Sequence, residues 1–255
     1  MRTRRDVIVR LWQIVLGLTV LTVWQVLTTA GLVDAFFVSR PSDIFVRMWR
    51  WIASGYVLMH LAVTVEEALL GFVMGAALGV TAGFVLGRRP RLSRVVDPYI
   101  RILNALPRVV LGPIFLLWFG LGIWSKVALG VTLVFFIVFF DTYRGVRDVE
   151  RVFVNNALML GASERQLVRH VLVPSALSSI LSSLHVSLGF AMVGAVVGEY
   201  LGASRGIGYL ISQAEGTFDT TGVFAGMGIL SLVVVIVGEA VIRLENRLLR
   251  WRVAP

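Results

Sequence analysis

Six long apolar runs dominate this chain and leave it few folds. They cover roughly residues 11–32, 61–87, 97–119, 124–142, 175–201 and 222–242. A helix of about 20 such residues covers the hydrocarbon core of a bilayer, so each run reads as a membrane-spanning helix. The expected fold class is all-α, a polytopic membrane protein with six transmembrane helices. Composition points the same way: 57% of the 255 residues are apolar and 15% charged, against about 45–50% and about 25% in average soluble domains. Mean hydropathy is +0.85. A soluble globule and a disordered chain are both excluded.

The formal charge of +9 is no nucleic-acid footprint, because the basic residues fall between the apolar runs. Seventeen of the 24 lie in segments 1–10, 88–94, 143–174 and 243–255. Five (Arg40, Arg47, Arg50, Lys126 and Arg205) lie in the alternate segments, and Arg101 and Arg108 lie in the third run. Positive charge collects on the cytoplasmic side, so both termini are expected there. The first run follows a basic stretch, as in a signal peptide. It is too long for an ordinary signal core, and no small-x-small cleavage site follows, so a retained helix is expected.

Two regions follow from this layout. Residues 1–60 hold the first span and a short outer segment, and residues 61–255 form a five-helix core carrying the cytoplasmic loop 143–174. In the outer segment, Pro41-Ser42-Asp43 opens a helix. Ile44, Met48, Trp51 and Ile52 share one of its faces, and Trp49 and Trp51 suit the outer membrane–water boundary.

The second span carries Gly71, Gly75, Gly79, Gly83 and Gly87, a glycine at every fourth position. The fifth repeats the spacing in Gly194, Gly198 and Gly202, preceded by Ser179, Ser183 and Ser187. Small residues at this spacing let helix backbones approach closely, so both stripes are expected to be packing surfaces.

The segment DVERVFVNNALMLGASERQLVRHVLVP, residues 148–174, is unusually well built for a loop. An amphipathic stretch (Val152, Phe153, Ala157, Leu160) ends at Gly161. Ser163 opens a second helix as N-cap, and Gln166 completes a capping box. Arg169 and His170 close it where cations favour the helix dipole, and Pro174 is expected to break the chain before the fifth span. A helix–turn–helix of this kind suits a peripheral partner seating on it; a helix lying on the membrane surface is the alternative.

Chemistry within the chain is largely excluded. A nucleotide-binding P-loop needs G-x-x-x-x-G-K-[ST], and the only lysine, Lys126, stands between Ser125 and Val127. There is no cysteine, and the three histidines (His60, His170, His185) form no H-E-x-x-H, so no metal site is expected. Gly202-Ala203-Ser204-Arg205-Gly206 matches G-x-S-x-G, but a six-span serine protease would need a histidine base on the last span, and 222–242 has none. The ionisable residues in the spans are Glu66, Glu67, Arg101, Arg108, Asp141, Glu199 and Glu239. Such groups face the interior or pair with one another. Arg101 and Arg108, two turns apart, offer with Asn104 a polar stripe to an anion, or pair with Glu199 or Glu66 and Glu67. His185 is a candidate for lining a path.

Three stretches carry a family resemblance. Asn155-Asn156-Ala157-Leu158-Met159-Leu160-Gly161-Ala162-Ser163, with Pro174 thirteen residues after the glycine, resembles the EAA loop of bacterial ABC importer permeases. Asn104-Ala105-Leu106-Pro107-Arg108, continuing through Pro113 to Trp118-Phe119-Gly120-Leu121-Gly122 and Ser125-Lys126-Val127, is similar to the nitrate/sulfonate/taurine branch. So is Val197-Gly198-Glu199-Tyr200-Leu201-Gly202-Ala203-Ser204-Arg205-Gly206-Ile207-Gly208-Tyr209-Leu210-Ile211. The likeness runs from about residue 60 to the C-terminus. Asn155 stands where the motif's glutamate is expected, Asn156 replaces its first alanine, and Val173 replaces the leucine before Pro174.

The resemblance implies a permease subunit in a bacterial inner membrane, paired with a second copy around one path. Two cytoplasmic P-loop ATPase subunits would dock on the coupling helices through Asn155, Asn156, Ala157, Leu160, Gly161, Ala162, Ser163 and Pro174. An extracytoplasmic binding protein would deliver the solute. ATP and Mg would belong to the ATPase, leaving this chain no cofactor and no enzymatic activity. In such permeases the third and fifth helices border the path, which adds Asn104, Arg108, Ser187 and Glu199 to His185 as path candidates. Substrates of the branch include nitrate, sulfonates, taurine and heterocyclic vitamin precursors, and Arg108 leans toward an anion. A secondary transporter or channel without an ATPase is the alternative. It would need a coupling-ion site, for which Glu66, Glu67 and Glu199 are available, but no inverted repeat is visible.

Overall fold

The computed structural model describes residues 4–248. Arg2, Arg250 and Arg252, counted above on the cytoplasmic side, lie outside the described residues. Every element among the described residues is helical. Among the described residues, five helices are long and apolar enough to cross a membrane: Ile8–Thr29, Tyr56–Arg88, Ile123–Arg147, Glu164–Leu201 and Thr220–Ala240. A bent pair, Pro90–Ala105 with Arg108–Phe119, brings the number to six when it is taken as one span. The chain divides into two compact units, Met1–His60 with Leu210–Ser231 and Leu61–Tyr209 with Leu232–Pro255.

The larger unit is built around α7 (Ile123–Arg147), which packs against α4 (Tyr56–Arg88) and α10 (Val173–Leu201). The glycine stripe of α4 lies on α7 with a fixed register. A Cβ added to Gly71 would meet Gly130, and one on Gly75, Gly79, Gly83 or Gly87 would meet Val134, Val138, Thr142 or Val146 in turn. Both numbers rise together, so the two helices run parallel. On the other side of α7 the register reverses: Gly194 meets Gly130, Gly198 meets Lys126, and Gly145 meets Ser179. Ala76, Val134, Val138 and Ala191 form the core between these helices, with Phe72, Val80 and Leu184 packed against it. The expected packing role of the small residues is how the structure uses them.

Parallel α4 and α7 require the chain to return between them, and the third run does so with a break. α5 (Pro90–Ala105) begins beside the end of α7, where Ser93 Oγ and Tyr143 Oη are 2.7 Å apart. α6 (Leu111–Phe119) ends at the turn from which α7 starts. The two meet at 76°, so the single third helix expected over 97–119 is corrected to two pieces. Pro107 is the cause. It disfavours helical backbone in the residue before it, and Leu106 is extended (φ −65°, ψ 132°). A short 3₁₀ turn, Arg108–Val110, restarts the helix.

The proline before the fifth span behaves in the opposite way. α9 (Glu164–Leu167) runs through a π-helical turn, Val168–Leu172, into α10 without a gap. The Val173 N–H reaches back to the Val168 carbonyl, and Pro174, which has no N–H to place, follows within the first turn of α10. The expected break at Pro174 is therefore corrected: the second helix of the loop and the fifth span form one continuous rod, Glu164–Leu201.

The smaller unit holds α1 (Arg4–Thr29), α2 (Ala35–Val38), α3 (Pro41–Ala53), most of α11 (Ile207–Gly216) and the first part of α12 (Thr220–Leu248). The helix expected after Pro41 is present, with the proline in its first turn. Its free Ser42 N–H is taken by Gln25 Oε1 of α1 at 3.0 Å. Ile44 and Met48 are buried, and Trp49 is exposed. Arg47 pairs with Asp219 at 2.6 Å, and Asp219 also caps α12 by accepting the Gly222 N–H at 3.0 Å.

Candidate functional site

The loop 148–174 folds into two helices joined by a tightly specified turn. α8 (Arg151–Met159) ends in Leu160, and Gly161 follows with φ +78°. The Ala162 N–H donates to the Ala157 carbonyl and the Gly161 N–H to the Leu158 carbonyl, both at 3.0 Å. That pair of bonds is a Schellman cap, which needs a residue in the left-handed region and so favours glycine. Ser163 then caps α9. Its Oγ accepts the Gln166 N–H, and its own N–H donates to Gln166 Oε1 at 2.8 Å, so the expected capping box forms. His170 Nδ1 lies 3.1 Å from the Gln166 carbonyl. Arg88, at the end of α4, holds Glu164 at 3.3 Å.

Backbone order here is combined with apolar exposure. Met159 and Leu160 are 86% and 87% exposed. Val152, Phe153 and Leu158 are exposed beside them, as are Asn155, Asn156 and Gly161, with Ala157 and Ala162 half-buried. An ordered turn that offers large apolar side chains outward is a candidate interaction surface.

The path candidates separate into two groups. Asn104 and Arg108 are brought together across the α5–α6 break. The Arg108 guanidinium donates to the Asn104 carbonyl at 3.3 Å and also to Asn104 Oδ1. It sits over the Phe136 ring at 4.9 Å, and its Nε is buried with no hydrogen-bond partner. His185 lines a cavity of about 320 Å³ with Gly189, Met192, Val234, Val237 and Gly238. Ser187 and Glu199 are both buried in helix packing. Ser187 Oγ donates to the Leu184 carbonyl at 3.1 Å, as serine does when it has no other partner in a helix. Glu199 accepts the Gly208 N–H at 2.6 Å.

The pairings expected for the arginines also differ. Arg101 holds Asp97 at 2.7 Å and Arg108 holds Asn104, so neither reaches Glu199. The buried ionisable group near Glu199 is Glu67, and each acts on the other's charge. Lys126 is almost wholly buried beside them. Sequence reasoning used Lys126 to exclude a P-loop and missed its place in this cluster. The signal was present in its being the one lysine among the 24 basic residues. Phe136, the seat of Arg108, had no signal beyond apolarity.

Stacked small-residue helices, a broken crossing with a cation at the break, and a rigid apolar surface turn define a multi-pass membrane permease. The comparisons give the class its family. Residues 71–251 match the family model of the binding-protein-dependent transport system inner membrane component, and this chain belongs to that family. It is 35% identical to the putative aliphatic sulfonates transport permease protein SsuC of Bacillus subtilis (strain 168), over 94% of this chain and 87% of that one. The formylaminopyrimidine transport permease protein ThiX of Halalkalibacterium halodurans is 34% identical over 92% of this chain and 93% of its own. The taurine transport system permease protein TauC of Escherichia coli (strain K12) is 27% identical over 91% and 86%. Among solved structures, an inward-facing MetNI methionine ABC transporter shares the fold. Its TM-score is 0.61 at 20% identity, over 78% of this chain and 97% of that one.

Proposed function

We propose that this chain is the path-forming subunit of an ATP-driven importer for a small, anionic or heterocyclic solute, working as a homodimer by alternating access. The α8–turn–α9 segment is the seat of a cytoplasmic P-loop ATPase, one per copy, and ATP and Mg are that partner's. Both termini are cytoplasmic, and an extracytoplasmic binding protein delivers the solute. Residues 61–255 are the working core, with 1–60 as an added helix and outer segment. Asn104 and Arg108 are the residues that meet the passing solute.

The observation that carries the reading is the Schellman turn with its outward Met159 and Leu160. A loop has no folding need to order its backbone so fully while turning large apolar side chains away from the packed core. The substrate class rests on the relatives named for sulfonates, taurine and formylaminopyrimidine and on the Arg108 cation at the break. Purification of the tagged chain from its native membrane in mild detergent tests the reading. A P-loop ATPase recovered in equal amount is the expected result. A homo-oligomer free of ATPase that still moves solute in liposomes would overturn it in favour of a secondary transporter or channel.

A further inference from the structure

At the end of α7 opposite the docking segment, three buried ionisable residues from three helices meet. Glu67 of α4, Lys126 of α7 and Glu199 of α10 are 4%, 1% and 1% exposed. Charged side chains buried this far are retained only where they are paired and hydrogen-bonded. Here the bonds of Lys126 and Glu199 go to the backbone of two separate turns.

Lys126 serves the first turn. Its Nζ donates to the carbonyls of Leu121 and Gly122 at 2.6 and 3.1 Å, closing the α6–α7 turn onto the start of α7. Glu199 serves the second. Its Oε2 accepts the Gly208 N–H at 2.6 Å, while Thr64 Oγ1 of α4 accepts the Ile207 N–H at 2.9 Å. The first two N–H groups of α11 thus find partners on α10 and α4, where a helix would otherwise supply a local cap. The loop is shaped to this carboxyl group. Gly206 has φ +111°, and a Cβ on it would overlap Glu199; one on Gly208 would lie 2.9 Å from Glu199 Cβ.

The two turns also touch. A Cβ on Gly202 would lie 3.1 Å from Leu121 Cδ2, and the Lys126 stem packs on Gly198. Glu67, on α4, is buried near enough for its charge and those of Lys126 and Glu199 to act on one another. We propose that Lys126, Glu67 and Glu199 bolt the 120–122 turn and the 203–208 loop into one rigid piece, so that the two move together when the permease changes state. Under the orientation proposed above, this is the end that faces the binding protein.

The chain has no cysteine, so Leu121→Cys and Ser204→Cys carry the only spin labels, two per copy, and labelled copies are diluted into an excess of unlabelled ones so that each importer holds one labelled copy. In the assembled importer in lipid nanodiscs, the distance between them is expected to stay single and unchanged between nucleotide-free and ATP-trapped states. A distance that shifts or broadens between those states overturns the proposal. In the chain without its ATPase, Lys126→Met is expected to loosen a label at residue 204 as well as one at residue 121. Loosening at residue 121 alone would make Lys126 a local cap and also overturn it. If Lys126→Met does not fold, the two-label distance decides. Failure of an ATPase to assemble would count against the proposed function, while the label mobilities would still test the bolt.

Discussion

Gly194 of α10 and Gly130 of α7 pack backbone against backbone: a Cβ added to Gly194 would lie 2.6 Å from the Gly130 Cα. Contacts this short leave no side chain to move aside. Gly83 is in the same position, with the Phe139 carbonyl oxygen 2.6 Å from its would-be Cβ. Overpacking of this kind costs about 1–3 kcal/mol. Gly83→Ala and Gly194→Ala are therefore expected to lower the unfolding temperature in detergent, whereas Gly17→Ala, with nothing within 4 Å, is expected to leave it unchanged or higher. Equal melting of all three would show that these helices separate readily.

Gly161 makes a different demand. Nothing lies within 4 Å of an added Cβ, but φ is +78°. The cost of replacement within this chain comes from backbone strain, and a large side chain would in addition stand in the way of the docking partner. Asparagine visits this conformation more readily than other residues, and β-branched residues least readily. ATPase capture on the tagged chain is expected to hold for Gly161→Asn, weaken for Gly161→Ala and fail for Gly161→Val and Gly161→Trp, with the membrane fold intact in all. Full capture by Gly161→Trp would remove the docking role from this turn.

Ser163 carries the start of α9. Loss of an N-cap hydroxyl costs about 1 kcal/mol. Ser163→Ala is expected to raise amide hydrogen exchange several-fold over residues 164–167 and to leave α4 and α7 protected.

The Arg88–Glu164 pair tests how far charge matters at this surface. Glu164 is 91% exposed, and exposed pairs contribute about 0–1 kcal/mol. Glu164→Ala is expected to leave both stability and ATPase capture near wild type. Strong loss of capture would mean that the pair orients the docking segment.

Arg108 is the residue whose charge is expected to matter for transport. Arg108→Gln removes the cation and keeps a donor for Asn104. Uptake of an anionic solute such as taurine in proteoliposomes is expected to fall at least tenfold, which corresponds to about 1.4 kcal/mol, with ATPase capture unchanged. Unaltered uptake would place the path elsewhere.

Hydropathy located the membrane-crossing segments, because composition over twenty residues is what it measures. It could not see the break at Leu106–Pro107, since both residues are apolar and the change is in backbone angle. Pro174 misled in the other direction: proline ends most helices, yet here a π turn absorbs the lost bond. The glycine spacing of α4 was legible as a contact surface, but its partner was not, because Gly71 and Gly130 meet only through the fold. The turn at Gly161 and the box at Ser163 were fully legible, being local. The Glu67–Lys126–Glu199 cluster spans more than 130 residues of sequence, and no spacing rule reaches that far.

The register of α7 sets a limit on how the larger unit can deform. Its contacts with α4 recur every four residues, about 6 Å along the axis. Like a toothed rack, such a pair can rest at one notch or the next, and positions between them drive glycine gaps onto valine side chains. Sliding of α4 past α7 is thereby ruled out as a small adjustment. Elements without teeth, such as the bend at Leu106–Pro107, are not held by this constraint.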